Sequence, residues 1–180
     1  MHIETPRLLL RHQRAEDIPA LVALWCDPEV TRYMGGPRQP ARLREEFERV
    51  LVEGPEPYDL YPVVEKESGA VIGYCGLLDK EIEGVVEIEL VYVLARAHWG
   101  RGYASEIARA LVADACGRQG LVRLVSLIEP GNIASERVAL KAGMHLEREV
   151  VRPGGRRVRL YAIDAPTGEE AGQGRASTPA

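Results

Sequence analysis

The stretch from Gly84 to Ile128 limits the fold more than any other part of this 180-residue chain. Gly84–Leu94 alternates with period two: Glu87, Glu89, Val91 and Val93 share one face, and Ile88, Leu90, Tyr92 and Leu94 the other. From Tyr103 the period changes. Ala104, Ile107, Ala108, Leu111, Val112 and Ala115 recur at helical spacing, and Gly117 and Gly120 close the segment. Leu121–Ile128 is almost continuously apolar and β-branched, as a strand covered on both faces requires. A strand, a helix and a strand in succession place the two strands parallel.

Around that unit the pattern is hairpin-like. Ile3–Gln13 reads as a first strand. Ala15-Glu16-Asp17 opens a helix that Asp27-Pro28 ends, and Ala41–Glu53 reads as a second helix. Tyr58–Lys66 and Ala70–Asp79 are strands joined by Ser68-Gly69, with a further turn at Glu83-Gly84. Ile133–Ala142 is a helix that Gly143 ends as a left-handed cap. His145–Val151 and Arg156–Asp164 form a hairpin about Pro153-Gly154-Gly155. The expected fold is α+β: one domain over residues 1–164, with a mixed, mostly antiparallel sheet of about seven strands and helices on both faces. Ala165–Ala180 is rich in Gly, Glu, Ser, Thr and Pro and reads as a disordered tail.

The net charge of −4 argues against a nucleic-acid surface, which needs clustered excess cations. Arg152, Arg156, Arg157 and Arg159 lie near Glu147, Glu149 and Asp164 and read as a solvated hairpin. Cys26, Cys75 and Cys116 sit in apolar stretches without CxxC spacing, which points to buried free thiols in a reducing compartment. The four histidines show no metal-ligand spacing, and no apolar run approaches the roughly 20 residues of a membrane span. With no signal-peptide pattern at the start, a cytoplasmic location is expected.

The chemistry is most legible at Ala97-His98-Trp99-Gly100-Arg101-Gly102-Tyr103-Ala104-Ser105-Glu106. Small residues before a helix let unpaired backbone amides approach a ligand, and the helix dipole favours an anion there. Such a segment suits a pyrophosphate, and Arg101 adds positive charge. A glycine-rich turn that only lets strand and helix pack has the same appearance. A Walker A loop requires Gly-Lys-Ser/Thr, which the chain lacks. A dinucleotide fingerprint needs a third glycine where Ser105 stands, and glycines directly after the strand rather than beyond Ala95–Trp99.

The segment resembles motif A of the GNAT family of N-acetyltransferases, Gln/Arg-x-x-Gly-x-Gly/Ala. Gly102 and Ala104 match the small positions, and Trp99 replaces the usual Gln or Arg. An aromatic-Gly-Lys/Arg-Gly-Tyr-Ala sequence is similar to the RimJ/RimL-like branch. Three further matches follow the family's order: Glu4–Arg11, Asp27–Gly36, and Asn132–Ala139 with Ala142-Gly143-Met144. The resemblance covers most of residues 4–162. It implies a splayed parallel pair, with acetyl-CoA as cofactor. Its pantetheine arm would lie along Tyr92, Val93 and Leu94, and its pyrophosphate on Gly100, Arg101, Gly102, Tyr103, Ala104 and Ser105. Asn132 is similar to a pantetheine contact, and Asn is equally a preferred helix N-cap.

Acetyl transfer needs a neutral amine, a site for negative charge on the thioester carbonyl, and a proton for the leaving thiolate. Glu89 resembles the glutamate of the family's Glu-Ile/Leu-Gly-Tyr pattern and is the candidate base. Its alternative is an ordinary charged strand residue, as at Glu87. A free strand N–H around Val93 is the candidate for the developing charge. Ser135, at the Asn-x-x-Ser serine, is the candidate acid, or a first-turn serine bonding only to backbone. The expected partner is a primary amine, a protein or peptide N-terminus first, with an amino acid, polyamine or antibiotic as the alternative. A non-catalytic acyl-CoA-binding module is the reading from a different class. Trp25, the Asp27–Gly36 loop and the hairpin strands should form the acceptor pocket, and an edge strand offers a route to a homodimer.

Overall fold

The expected parallel pair lies inside the sheet, and it is nearly unpaired. In the computed structural model, which describes residues 2–165, β5 (Val85–Leu94) and β6 (Arg123–Ile128) meet in register only at Glu89 and Val125. Toward the C-terminal end of β5 the two strands diverge. The remaining strands are β1 (Ile3–Glu4), β2 (Leu8–Leu10), β3 (Leu60–Glu65), β4 (Val71–Ile82), β7 (His145–Arg152) and β8 (Arg156–Asp164). They form one eight-stranded sheet in the order β1-β2-β3-β4-β5-β6-β8-β7, antiparallel except at β5–β6.

The count of eight rather than seven comes from the first expected strand, which breaks in two. At Thr5-Pro6-Arg7 the chain turns, with the Thr5 amide donating to the Leu8 carbonyl at 2.9 Å, so β1 folds back on β2. Pro6 has no amide to give a ladder, which is why the strand fails there. The Glu83-Gly84 turn is as expected, with φ of 52° and 84°, and it joins the two longest strands.

Helices cover both faces. α3 (Tyr103–Ala113) and α4 (Ile133–Lys141) pack Ile107, Ala108, Leu111 and Ala139 against Leu90, Leu94, Leu124 and Ile128. α1 (Ile18–Cys26) and α2 (Pro40–Glu53) pack Leu21, Leu24, Leu43 and Phe47 against Leu60, Tyr74 and Val93. The period-two reading of β5 is therefore a division between two cores. α3 runs through Gly117, widening into a π turn over Asp114–Arg118, and ends just before Gly120, whose φ is 69°.

Three smaller expectations change. Only Cys75 is buried; Cys26 and Cys116 are half-exposed. The arginine cluster of the last hairpin is paired rather than merely solvated, Arg156 with Glu129 and Arg159 with Glu136 at 2.7 Å. Ala165, placed in the tail, donates its amide to the Val122 carbonyl at 2.8 Å, and the rest of the expected tail lies outside the described residues. Among the described residues no helix is long and apolar enough to cross a membrane, and no cluster of ligand-type side chains could hold a metal.

Candidate active site

Where two strands separate, their facing backbone groups lose partners, so the divergence of β5 from β6 opens a polar cleft. Which groups face it follows from the ladder with β4. Tyr74 is opposite Val93, and the Ala95 amide donates to the Ile72 carbonyl at 2.8 Å. Antiparallel alternation then turns the Val93 amide into β4, and those of Tyr92 and Leu94 toward the cleft. Two carbonyl contacts agree: Ser126 Oγ donates to the Leu90 carbonyl at 3.1 Å and Trp99 Nε1 to the Leu94 carbonyl at 2.7 Å. The free amide expected around Val93 is thus that of either neighbour.

Glu89 sits at the apex of the cleft. Its Oε1 accepts from the Leu127 amide at 3.3 Å, next to the Glu89–Val125 pair. Burial raises its carboxyl pKa above the ordinary value, and the Leu127 hydrogen bond and the charges of Lys80 and Arg152 only partly offset this. Glu87, on the same face, does something else: it pairs with Arg123 at 3.2 Å. The two acids that the sequence left alike are separated by their surroundings.

The far wall of the cleft is the start of α4. Asn132 caps it, its Oδ1 accepting from the Ser135 amide at 3.3 Å. The Tyr92 hydroxyl donates to the Ser135 carbonyl at 2.9 Å, bridging β5 to α4. Burial raises the Tyr92 pKa, so the phenol keeps its proton. The capping hydrogen bond uses the Ser135 amide and leaves its hydroxyl out of the cap. Tyr33, from the Asp27–Gly36 loop, donates to the Gly131 carbonyl at 3.2 Å and ties that loop to the same wall.

At the open end of β5 the glycine segment leads into α3. Gly100 and Gly102 have φ of 75° and 81°, conformations that glycine adopts without a Cβ clash. Gly102 is the N-cap of α3, and its carbonyl accepts from the Glu106 amide at 3.0 Å. Among the described residues the amides from Gly100 to Ser105 donate to no protein acceptor. They form a cluster of donors at the positive end of a helix, which fits a diphosphate.

Side chains that the sequence reading passed over hold this cradle. Glu106 accepts from the Thr5 hydroxyl at 2.6 Å, the Arg7 amide at 3.0 Å and Arg7 Nε at 2.7 Å. Burial alone would raise its pKa, but these partners outweigh it and hold the carboxyl below its usual range. Arg7 also donates to the Arg101 carbonyl at 3.0 Å and lies over the Tyr103 ring at 4.5 Å. Glu65 accepts from the Ser68 and Tyr103 hydroxyls, both at 2.6 Å, which hold its pKa down. His98 Nδ1 and Arg101 Nη1 each lie 3.8 Å from Glu65. Apart from Glu65–Ser68, these contacts span from 33 to 101 residues of sequence, beyond any local motif. The only signal was the Thr5-Pro6-Arg7 turn, which brings Arg7 over the start of α3.

On the α1–α2 face a cavity of about 520 Å³ opens beside the cleft. Tyr74 and Leu78 line it, and their β5 partners are Val93 and Glu89. Trp25, Leu60 of β3, Tyr74 and Leu78 of β4, and α2 line the cavity, and no residue of the Asp27–Gly36 loop does.

A splayed parallel pair, a glycine-rich helix start and a capped helix across the gap are the arrangement that the resemblance implied. The family model for the acetyltransferase (GNAT) domain matches residues 7–145. The N-acetyltransferase p20 of Bacillus licheniformis is 32% identical over 178 residues, 93% of this chain and 97% of the relative. A GNAT-family acetyltransferase of Bacillus anthracis superposes with a TM-score of 0.78 at 24% identity, covering 92% of this chain and 99% of that one. RimL, a ribosomal L7/L12 alpha-N-protein acetyltransferase solved with coenzyme A, has a TM-score of 0.73 at 19% identity, over 91% and 98% of the chains. At those identities the two structures speak for the fold, while the family model and the Bacillus licheniformis relative speak for descent. The chain belongs to the GNAT family of N-acetyltransferases, whose acetyl donor is acetyl-CoA.

Proposed function

We propose that this enzyme acetylates the α-amine of a protein or peptide N-terminus, by direct attack in a ternary complex with acetyl-CoA. The observation that carries the reading is the position of Glu89, a half-buried carboxylate at the apex of the β5–β6 cleft beside amides without ladder partners. When bound, the cofactor supplies an activated thioester carbonyl. The amides of Gly100 to Ser105, with Arg101, hold its diphosphate. Tyr92 and Leu94 offer backbone groups to the pantetheine arm, Val93 packs beneath it, and Asn132 meets it from α4.

Glu89 takes the proton of the attacking ammonium, directly or through water, and its raised pKa brings it nearer to that of the group it must deprotonate. An amide on the open edge of β5 faces the negative charge that develops on the carbonyl oxygen. Ser135 returns a proton to the departing sulfur. An α-amine, with a pKa of about 7.7–8.0 against about 10.4 for lysine, asks little of such a base. The Trp99-Gly100-Arg101-Gly102-Tyr103-Ala104 segment, similar to the RimJ/RimL-like branch, supports the same acceptor.

The test is thiol release from acetyl-CoA over a panel of amines that includes a ribosomal-protein N-terminal peptide. Turnover on that peptide, and none when its N-terminus is blocked, is the expected result. Turnover confined to small amines would remove the protein acceptor. Cofactor binding with no turnover on any amine would leave only a binding module.

A further inference from the structure

The cavity beside Glu89 is mostly apolar, yet two carboxylates, Asp59 and Glu46, line it without an ion-pair partner among the described residues. Trp25, Phe47, Tyr74 and Leu78 supply the apolar surface. Asp59, just before β3, lines it and is half-buried. Its Oδ1 accepts from the Leu60 amide at 2.7 Å. Among the described residues no basic group lies within ion-pair distance of it. Arg38 and Arg42 also line the cavity, but both are solvent-exposed. Arg38 donates to the Met34 carbonyl at 3.1 Å and lies 5.9 Å from the Trp25 ring at the cavity's rim, so it does not pair with Asp59. Glu46, on α2, adds a second negative charge to the same wall. Burial raises the Asp59 pKa; hydrogen bonds from the Leu60 and Glu56 backbone oppose this in part, and the charges of Glu56 and Glu46 add to it.

A half-buried carboxylate with no ion-pair partner gains from a cation that joins it, and the neighbouring aromatic rings favour the same partner. We infer that this cavity selects acceptors carrying a protonated nitrogen in addition to the amine that is acetylated, with Asp59 as the specificity-determining residue. The inference rests on the proposed acetyl transfer and names its substrate class. Leu77 donates its amide to the Asp59 carbonyl at 3.3 Å, and its partner on β5 is Leu90, next to Glu89. Two strand spacings therefore separate Asp59 from β5, which places the second nitrogen roughly 10 Å from the reacting one. A lysine or arginine close behind a peptide N-terminus, or a long diamine, presents charge at that reach.

The probes are matched pairs: the peptide amides Ser-Lys-Ala and Ser-norleucine-Ala, and heptylamine with its α,ω-diamine. For the native enzyme the cationic member of each pair should show a KM about tenfold lower or better, the worth of one charge-assisted hydrogen bond. Asp59→Asn, which keeps the oxygen that accepts from Leu60, should erase that preference while leaving the acetyl-CoA KM and the kcat for Ser-norleucine-Ala unchanged. Equal KM values within the pairs for the native enzyme would overturn the inference whether or not the variant folds. So would a preference that survives in Asp59→Asn. If no amine is acetylated at all, the transfer reading fails, and the cavity is still judged by Trp25 fluorescence on titration with the diamine. Saturable quenching that Asp59→Asn removes supports the cation site; no response in the native protein overturns it.

Discussion

Glu89 carries a conflict between stability and chemistry that a single substitution exposes. Its folded-state pKa is raised, chiefly by burial. The protonated form is therefore the one the fold favours, and that contribution is complete below the unfolded value and lost as pH rises through the folded pKa. Glu89→Gln keeps an acceptor for the Leu127 amide and removes the charge, so it should raise Tm at neutral pH and give no gain below about pH 4, where both states hold the proton. The same change should lower kcat roughly 100-fold or more and abolish the acid limb of the pH–rate profile, with the acetyl-CoA KM unchanged. A thermal scan and a pH series on one preparation measure both; an unchanged acid limb would dismiss Glu89 as the base. Ser135 permits a cleaner separation, because the cap of α4 uses its amide and the Asn132 side chain. Ser135→Ala should leave Tm and the acetyl-CoA KM in place and reduce kcat about tenfold to 100-fold. An unaltered kcat would return the hydroxyl to a structural role.

The start of α3 is the element on which cofactor affinity should depend. Gly102 has a φ of 81°, and a Cβ there would stand 3.5 Å from Arg7 Nη2. Gly102→Glu adds backbone strain and a carboxylate at the positive end of the helix, where the diphosphate charge is expected. Calorimetry should find acetyl-CoA affinity reduced roughly 100-fold or more, equivalent to about 3 kcal/mol; normal affinity would move the cradle elsewhere. The helix, the glycine segment that opens it and the parallel pair were legible because each is written in local periodicity and small residues. The break between β1 and β2 was not, since Leu8, Leu9 and Leu10 read as a continuation of Ile3 until Pro6 is given its missing amide. The Glu106 clamp was not legible either. Its partners Thr5 and Arg7 lie 101 and 99 residues away, and no local pattern records such a contact.

At the scale of the molecule, the same divergence that admits a ligand leaves β1–β5 and β6–β8 joined by a single backbone register pair. Side chains must supply what the ladder omits, and Arg123 is the largest such tie. From β6 it reaches Glu87 on β5 at 3.2 Å, Glu147 on β7 at 2.8 Å and Asp164 on β8 at 3.1 Å. Burial would lower its pKa, but the three carboxylates outweigh that and raise it. The sequence showed Glu87 and Asp164 only as charges near strand ends, because the fold alone brings them to one guanidinium. Arg123→Leu leaves Glu147 with Arg148 alone at 3.6 Å, and Glu87 and Asp164 clustered without their cation. The side chain is 26% exposed, so solvent screening reduces the loss below that of a fully buried pair, to about 1–3 kcal/mol. For a domain of this size that lowers Tm by roughly 3–10 °C. Hydrogen exchange should accelerate most in β6, β7 and β8, which lose their tie to the larger half-sheet, and less in β3 and β4. Saturating acetyl-CoA, proposed to lie between the two halves, should slow exchange along both cleft strands and raise Tm in native protein and variant alike. A variant with native Tm and uniform exchange would mean that the helices on the two faces, rather than this arginine, hold the half-sheets together.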